Sequence, residues 1–302
     1  MSPEPPKPAL VLPARGPFRL PAVAVSHGWF QTVPFRWDAD EERLDRMEAI
    51  DGAGIRLAIT SSGDGVAVRA SAPLTDAARQ VARARVTRML QLDADLEGFA
   101  EATFAVDPDL ARDLEAYGAG RMLAGGSLFE DTVKGLCGTN TTWRQAVTSI
   151  NRLGDLGSGG AFPSAADLLR AGEDRFRDHA RVGYRAPALV DAARAAIDGR
   201  MAEIEADSAA GDEERVYAGL IALTGIGPAT ASFLVLLMGH FGRPSVDSAT
   251  IRVATRIWFG GSKPTPAEVR RRIAPAGRFA GLVLAWSTLR EWQRTTGIVS
   301  SG

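Results

Sequence analysis

Apolar and polar positions along the chain fall into two regimes. Over residues 18–72 they alternate: Ile55, Leu57 and Ile59 are separated by Arg56 and Ala58, and Val66 and Val68 repeat the pattern beyond Ser61, Ser62, Gly63, Asp64 and Gly65. Alternation on both sides of a glycine-rich turn predicts a β-hairpin. At Thr75 the period changes, and Ala78, Val81, Val86, Met89 and Leu90 recur with helical spacing up to residue 92, with Thr75 or Asp76 as the cap. An antiparallel sheet carrying a helix is expected there. Beyond residue 92 the pattern is helical with short polar or glycine-rich connections. Helices are expected over residues 110–117, 128–136, from about 141, 163–169, 212–223, from Pro228, 248–257 and within 266–292. The glycine- and serine-rich stretch 151–162 is expected to be a mobile loop. The predicted fold class is therefore α+β. An N-terminal antiparallel β-sheet domain with helices, residues 17–117, precedes a mostly α-helical domain, residues 118–302. Five prolines among the first thirteen residues predict a flexible tail over residues 1–16.

Composition changes this picture little. The 302 residues suffice for one large or two medium domains with buried cores, and 45% hydrophobic with 24% charged residues is ordinary for a soluble protein. A formal charge of -1 gives no global basic field, so any nucleic-acid surface must come from local placement of arginines. Lysine occurs at Lys7, Lys134 and Lys263 alone, and carries no functional weight at this level. The single cysteine, Cys137, excludes an internal disulfide and a four-cysteine iron-sulfur cluster. His27, His179 and His240 lack ligand spacing, so no zinc site is expected. No apolar run reaches membrane-spanning length, and the proline-rich N-terminus is not expected to be a signal peptide. A monomeric, cytoplasmic protein of bacterial type is expected.

The chemistry concentrates between residues 223 and 247. Leu223, Thr224, Gly225, Ile226, Gly227, Pro228 and Ala229 place two glycines around one apolar residue, just after an amphipathic stretch carrying Val216, Leu220, Ile221 and Leu223. Positive φ is expected at both glycines, with no Cβ between the backbone amides and an approaching phosphate. Pro228 suits a first helical turn, whose free amides and dipole favour an anion. Such a helix, hairpin and helix grips a phosphate without reading bases, although the same turn also serves as a plain connection. Val246 and Asp247 follow, Asp247 standing twenty residues past Gly227.

This combination resembles the helix-hairpin-helix DNA glycosylase superfamily, which includes alkyladenine, 8-oxoguanine, adenine and thymine-glycol glycosylases. The likeness spans most of residues 120–292. It extends more weakly to the N-terminal domain, which the alkyladenine and 8-oxoguanine branches share and the cluster-containing branches lack. The stretch from Trp29 through Phe35 to Trp37 is similar to an aromatic motif of the 8-oxoguanine branch, and its rings are expected to pack the sheet. The resemblance implies that Asp247 assists cleavage of the bond between base and sugar. A fixed carboxylate stabilises the positive charge that grows on the sugar, and it orients or deprotonates water. An N-cap role for Asp247 on the helix that follows is compatible with this.

Further site residues follow from the same likeness. Cys137, Gly138, Thr139 and Asn140 match the loop that fills the gap left by an extruded nucleotide, with Asn140 as the wedge; alternatively Asn140 or Thr139 caps the next helix. Trp143 either lines the DNA cleft or enters the core. Val182, Gly183, Tyr184, Arg185 and Ala186 match a segment whose Tyr184 and Arg185 are expected to fix the loop. Gly225, Ile226 and Gly227 are expected to present amides to a phosphate, and Ala249 to donate another to DNA. Arg252 and Arg256, four residues apart, meet phosphates or form a solvated face. Phe233 and Trp286 are the expected base-stacking aromatics. Carbonyls of Thr224 and Ile226 are the expected ligands of a structural Na or K ion, with no other cofactor and no iron-sulfur cluster.

Two departures narrow the expectation. Ala229 stands where lyase-active relatives carry a lysine that forms a Schiff base with the sugar, so water is the expected nucleophile and the strand stays intact. Ala229 also replaces a bulky residue on the pocket wall. The expected function is a monofunctional DNA glycosylase acting on double-stranded DNA that contains a modified base. Alkylated purines come first, oxidised purines second and bulky phage-type pyrimidines third. The competing class is a noncatalytic damaged-DNA-binding protein.

Overall fold

The structure, a computed structural model, describes residues 8–296. Strands β1 (Leu10–Pro13), β2 (Phe35–Asp38), β3 (Arg43–Ile50), β4 (Ala53–Ser62) and β5 (Gly65–Ala70) form one antiparallel sheet in the order β1-β5-β4-β3-β2. The expected hairpin is β4-β5, closed where Ser62 faces Gly65 and Gly63 takes a φ of 54°. Alternation sends Ile55, Leu57, Ile59, Val66 and Val68 to one face. Helix α1 (Leu20–Ala24) and helix α2 (Asp76–Met89) join them in the sheet core. Thr75 caps α2 by accepting from the Ala78 amide at 3.1 Å, while Val81 turns outward, 40% exposed.

Part of the stretch 1–16 expected as a flexible tail is instead a strand, β1. Leu10 and Leu12 alternate into the sheet core and β1 pairs with β5, since two buried leucines and a ladder stabilise an edge strand even beside prolines. Residues 1–7 of the expected tail lie outside the described residues.

The helical body follows: α3 (Phe99–Val106), α4 (Pro108–Tyr117), α5 (Leu128–Gly138), α6 (Trp143–Gly154), α7 (Ala165–Arg175), α8 (Ala186–Asp198), α9 (Arg200–Ala209), α10 (Glu213–Ile221), α11 (Pro228–Leu237), α12 (Ser248–Ile257), α13 (Pro266–Ile273) and α14 (Ala280–Thr296). Its core includes Phe99, Val106 and Leu114. Helices α3 and α4, assigned by sequence to the N-terminal domain, thus pack with the helical body. The glycine-rich loop after α6 is docked on the sheet. A Cβ on Gly54 would lie 2.4 Å from the Gly159 carbonyl oxygen, so backbone meets backbone there.

Sheet and helical body are also joined by buried charge. Along the inner face of β3, Arg46 and Glu48 stand between Leu44 and Ile50. Arg46 grips Glu130 on α5 with both terminal nitrogens, at 3.1 and 2.6 Å, and pairs with Glu48 through Nε. Lys134 Nζ, one turn on, is 2.8 Å from Glu130 and lies 5.3, 4.7 and 5.5 Å from the ring centres of Trp29, Phe35 and Phe162. Burial opposes ionisation of Glu130, but Arg46 and Lys134 outweigh it and hold the carboxyl well below the usual range.

Candidate active site

The hairpin between α10 and α11 is built from both ends. Thr224 donates its amide to Asp191 on α8 at 3.0 Å. Gly225 has a φ of 80°, and a Cβ there would lie 2.9 Å from Ala188 Cβ and 3.1 Å from Leu136, so conformation and contact both demand glycine. Gly227 departs from expectation: its φ is -92°, it is the N-cap of α11, and nothing stands within 4 Å of its missing Cβ. Its lack of a side chain opens a face to solvent instead of permitting a turn. Ile226 departs too. Its amide closes the hairpin by donating to Leu223 O at 3.2 Å and its side chain is buried, so it anchors the turn and offers no amide to an outside anion. The amides of Gly225 and Gly227, and the carbonyls of Thr224 and Ile226, carry no protein hydrogen bond among the described residues.

Asp247 is the N-cap of α12. Its Oδ1 accepts from the Thr250 amide at 2.8 Å and from the Thr250 hydroxyl at 2.9 Å. Oδ2 has no protein partner among the described residues, and the side chain is exposed. One oxygen thus fixes the carboxylate while the other stays open. The preceding loop is held to the hairpin helix, because Ser245 donates its hydroxyl to the Ala229 carbonyl at 2.8 Å. Ala229 is partly buried, and its carbonyl performs this tethering where the sequence drew attention to its side chain. Ala249, in the first turn of α12, lines the neighbouring groove with Arg252, Arg256 and Trp292. Beside Asp247 lies a groove of about 670 Å³ that also exposes Arg252 and Lys263.

Asn140 stands at the tip between α5 and α6 with a left-handed φ of 46°. It caps nothing: Thr142 is the N-cap of α6, in a capping box with Gln145. The Asn140 side chain is exposed and donates to Tyr184 Oη at 3.2 Å. Arg185 donates to the Thr139 carbonyl at 3.0 Å and the Asn140 carbonyl at 3.2 Å, fixing the tip from behind.

The aromatics divide differently from expectation. Trp286 is completely buried, 6.3 Å from the Tyr117 ring, on a helix whose Leu282, Val283 and Leu284 are buried as well. The apolar first half of this helix is drawn into the core, and Trp286 faces no cleft. Phe233 is partly buried and packs edge-on against Trp29 at 5.8 Å and His27 at 5.3 Å. Trp29 therefore belongs to the helical core, not to the sheet. His27 donates Nε2 to the Leu123 carbonyl at 2.6 Å, and burial lowers its pKa to about 4. Neither residue stood out by spacing; the aromatic motif around Trp29 was the available signal. Trp143 is half-buried, with its ring where a Gly28 side chain would be and its Nε1 donating to Gln31 at 2.7 Å. It joins α6 to the N-terminal segment.

This architecture, a sheet domain joined to a helical body, is shared by solved structures of DNA glycosylases. Among solved structures, MBOgg1 in complex with a low-affinity DNA ligand superposes with a TM-score of 0.71 at 19% identity, over 94% of this chain and 95% of that one. A 3-methyladenine DNA glycosylase from Archaeoglobus fulgidus gives 0.69 at 20% identity, over 93% and 94%. The Clostridium acetobutylicum 8-oxoguanine glycosylase/lyase, in complex with double-stranded DNA containing cytosine opposite 8-oxoG, gives 0.69 at 15% identity, over 93% of each chain. At these identities the likeness is one of fold. No protein-family model and no curated protein sequence matches the chain.

Proposed function

We propose that this protein is a DNA glycosylase that extrudes a modified base from duplex DNA and hydrolyses its N-glycosidic bond. The observation that carries the reading is the tether from Ser245 to Ala229, which fixes the open oxygen of Asp247 relative to the unpaired hairpin amides. In this reading Gly225 and Gly227 hold a backbone phosphate, and Asp247 stabilises the cationic sugar and directs water to it. Asn140 fills the vacated stack and Phe233 flanks the base. The free carbonyls of Thr224 and Ile226 suit a monovalent cation bracing the hairpin. The names of the structural neighbours, 3-methyladenine and 8-oxoguanine glycosylases, support the class.

Ala229 supplies no amine, so the reaction is proposed to be monofunctional, leaving an abasic site in an intact strand. Alkylated purines are the preferred substrate class, since electron-poor bases leave readily to water. Oxidised purines come second, and bulky modified pyrimidines follow from the small side chain at Ala229.

Mass spectrometry of bases released from methylated, oxidised, deaminated and phage-modified DNA tests this directly. The wild type is expected to release one class of base and Asp247→Asn at least 10²-fold less, an order of magnitude typical for an electrostatic group at a reacting centre. Asparagine can still cap α12, so the variant should fold and bind DNA. No release by the wild type, with binding retained, would favour the noncatalytic damage-binding protein; borohydride trapping of a covalent complex would contradict hydrolysis by water.

A further inference from the structure

Several arginine side chains around the candidate site are engaged within the protein. On α12, Arg256 is bound to Glu291 at 2.5 Å. Arg272 lies over the Trp258 ring at 5.6 Å, and Arg243 is paired with Glu214 and stacked on Tyr217. Arg252, one turn before Arg256, and Lys263, in the turn entering α13, have no ion pair, hydrogen bond or ring contact among the described residues. Both line the groove of about 670 Å³ beside Asp247. Its other walls include Val246, Ile251, Pro264 and Pro266, and its single lining carboxylate is Asp247, held by Thr250.

An apolar wall with two unpaired cations suits a weakly polar sugar ring carrying a phosphate. A deoxyribose rests on proline and isoleucine without any hydrogen-bond code, while the phosphate lies toward the cations. We propose that this groove is a subsite for the sugar-phosphate backbone of the damaged strand beside the extruded nucleotide, with Arg252 and Lys263 clasping one phosphate. The proposal rests on the glycosylase reading, because Asp247 marks where the extruded nucleotide sits. The paired Arg256 takes no part. Contact with the backbone alone makes the subsite indifferent to sequence, and its contribution falls with salt.

The test measures binding, so it needs no turnover. Wild type, Arg252→Ala, Lys263→Ala, the double variant and Arg256→Ala are titrated with a duplex bearing a stable abasic-site analogue across a range of salt. The double variant should bind on the order of tenfold more weakly at low salt, with the slope of log K against log salt shallower by about one. Arg256→Ala should keep the wild-type slope. Duplexes cut away on one or the other side of the analogue locate the subsite: on one of them the wild type and the double variant should bind alike. Equal slopes for wild type and double variant overturn the proposal, and so does a difference that persists undiminished on both shortened duplexes. If the wild type released no base while the slopes still differed, the glycosylase reading would fail and the phosphate groove would stand.

Discussion

Arg46 and Arg252 carry the same guanidinium and do opposite things. Arg46 is 2% exposed and locked to Glu48 and Glu130, where it joins the sheet to α5, the helix that leads to Asn140. Arg252 is exposed and bound to nothing among the described residues. The two lysines divide likewise, Lys134 within an aromatic and acidic enclosure and Lys263 at an open groove. A net charge of -1 conceals this division. Cations paired inside fix geometry, and cations left unpaired at a concave surface are available to an outside anion, so the pairing pattern says more about a nucleic-acid surface than the charge count does.

The comparison breaks most severely at Glu130. Glu130→Ala leaves two cations buried without their carboxylate, and urea unfolding should show a loss of about 3–5 kcal/mol; a loss below about 1 kcal/mol would mean that this pairing is no clamp. Next comes His27, which lies near the same Lys134. Burial lowers its pKa from 6.5 to about 4, the Leu123 hydrogen bond opposes the shift and Lys134 adds to it. Above pH 6.5 the ring is neutral folded or unfolded. As the pH falls toward 4 the unfolded chain takes up a proton that the folded one refuses. Stability should therefore drop over that window by up to about 3 kcal/mol relative to a non-titrating His27→Phe variant. Parallel stability curves for the two proteins would show that His27 is not held neutral. The smallest expected effect sharpens the contrast most: Arg252→Ala should unfold within about 0.5 kcal/mol of wild type, since an exposed unpaired side chain contributes little to the fold.

Much of this was legible in the sequence because it depends on local rules. Alternation located β4 and β5, the cap at Thr75 located α2, and α12 begins at Ser248 after the aspartate as expected. The hairpin was legible for the same reason, since glycine at 225 admits the positive φ of the turn and proline at 228 fixes its own φ. What escaped depends on who faces whom. Arg46 and Glu48 occupy inward positions of β3, and charges in an inward register were a signal of a buried pair, but their partner Glu130 lies far along the chain. Trp286 was expected in a pocket from the resemblance of its helix, yet packing shows that α14 is enclosed on its Trp286 side. Ile226 looked like an amide donor until the turn itself claimed the amide.

The hydrogen bond from Ser245 to the Ala229 carbonyl makes the hairpin and Asp247 the two ends of a ruler. In the proposed reaction the strand is located by its phosphate at one end and its sugar is presented at the other, whatever base hangs from it. Distance along the backbone and identity of the base are then separate decisions, made in different parts of the molecule. On the proposed function, the walls around Phe233 can change to accept another base while the calibration of the ruler is left alone.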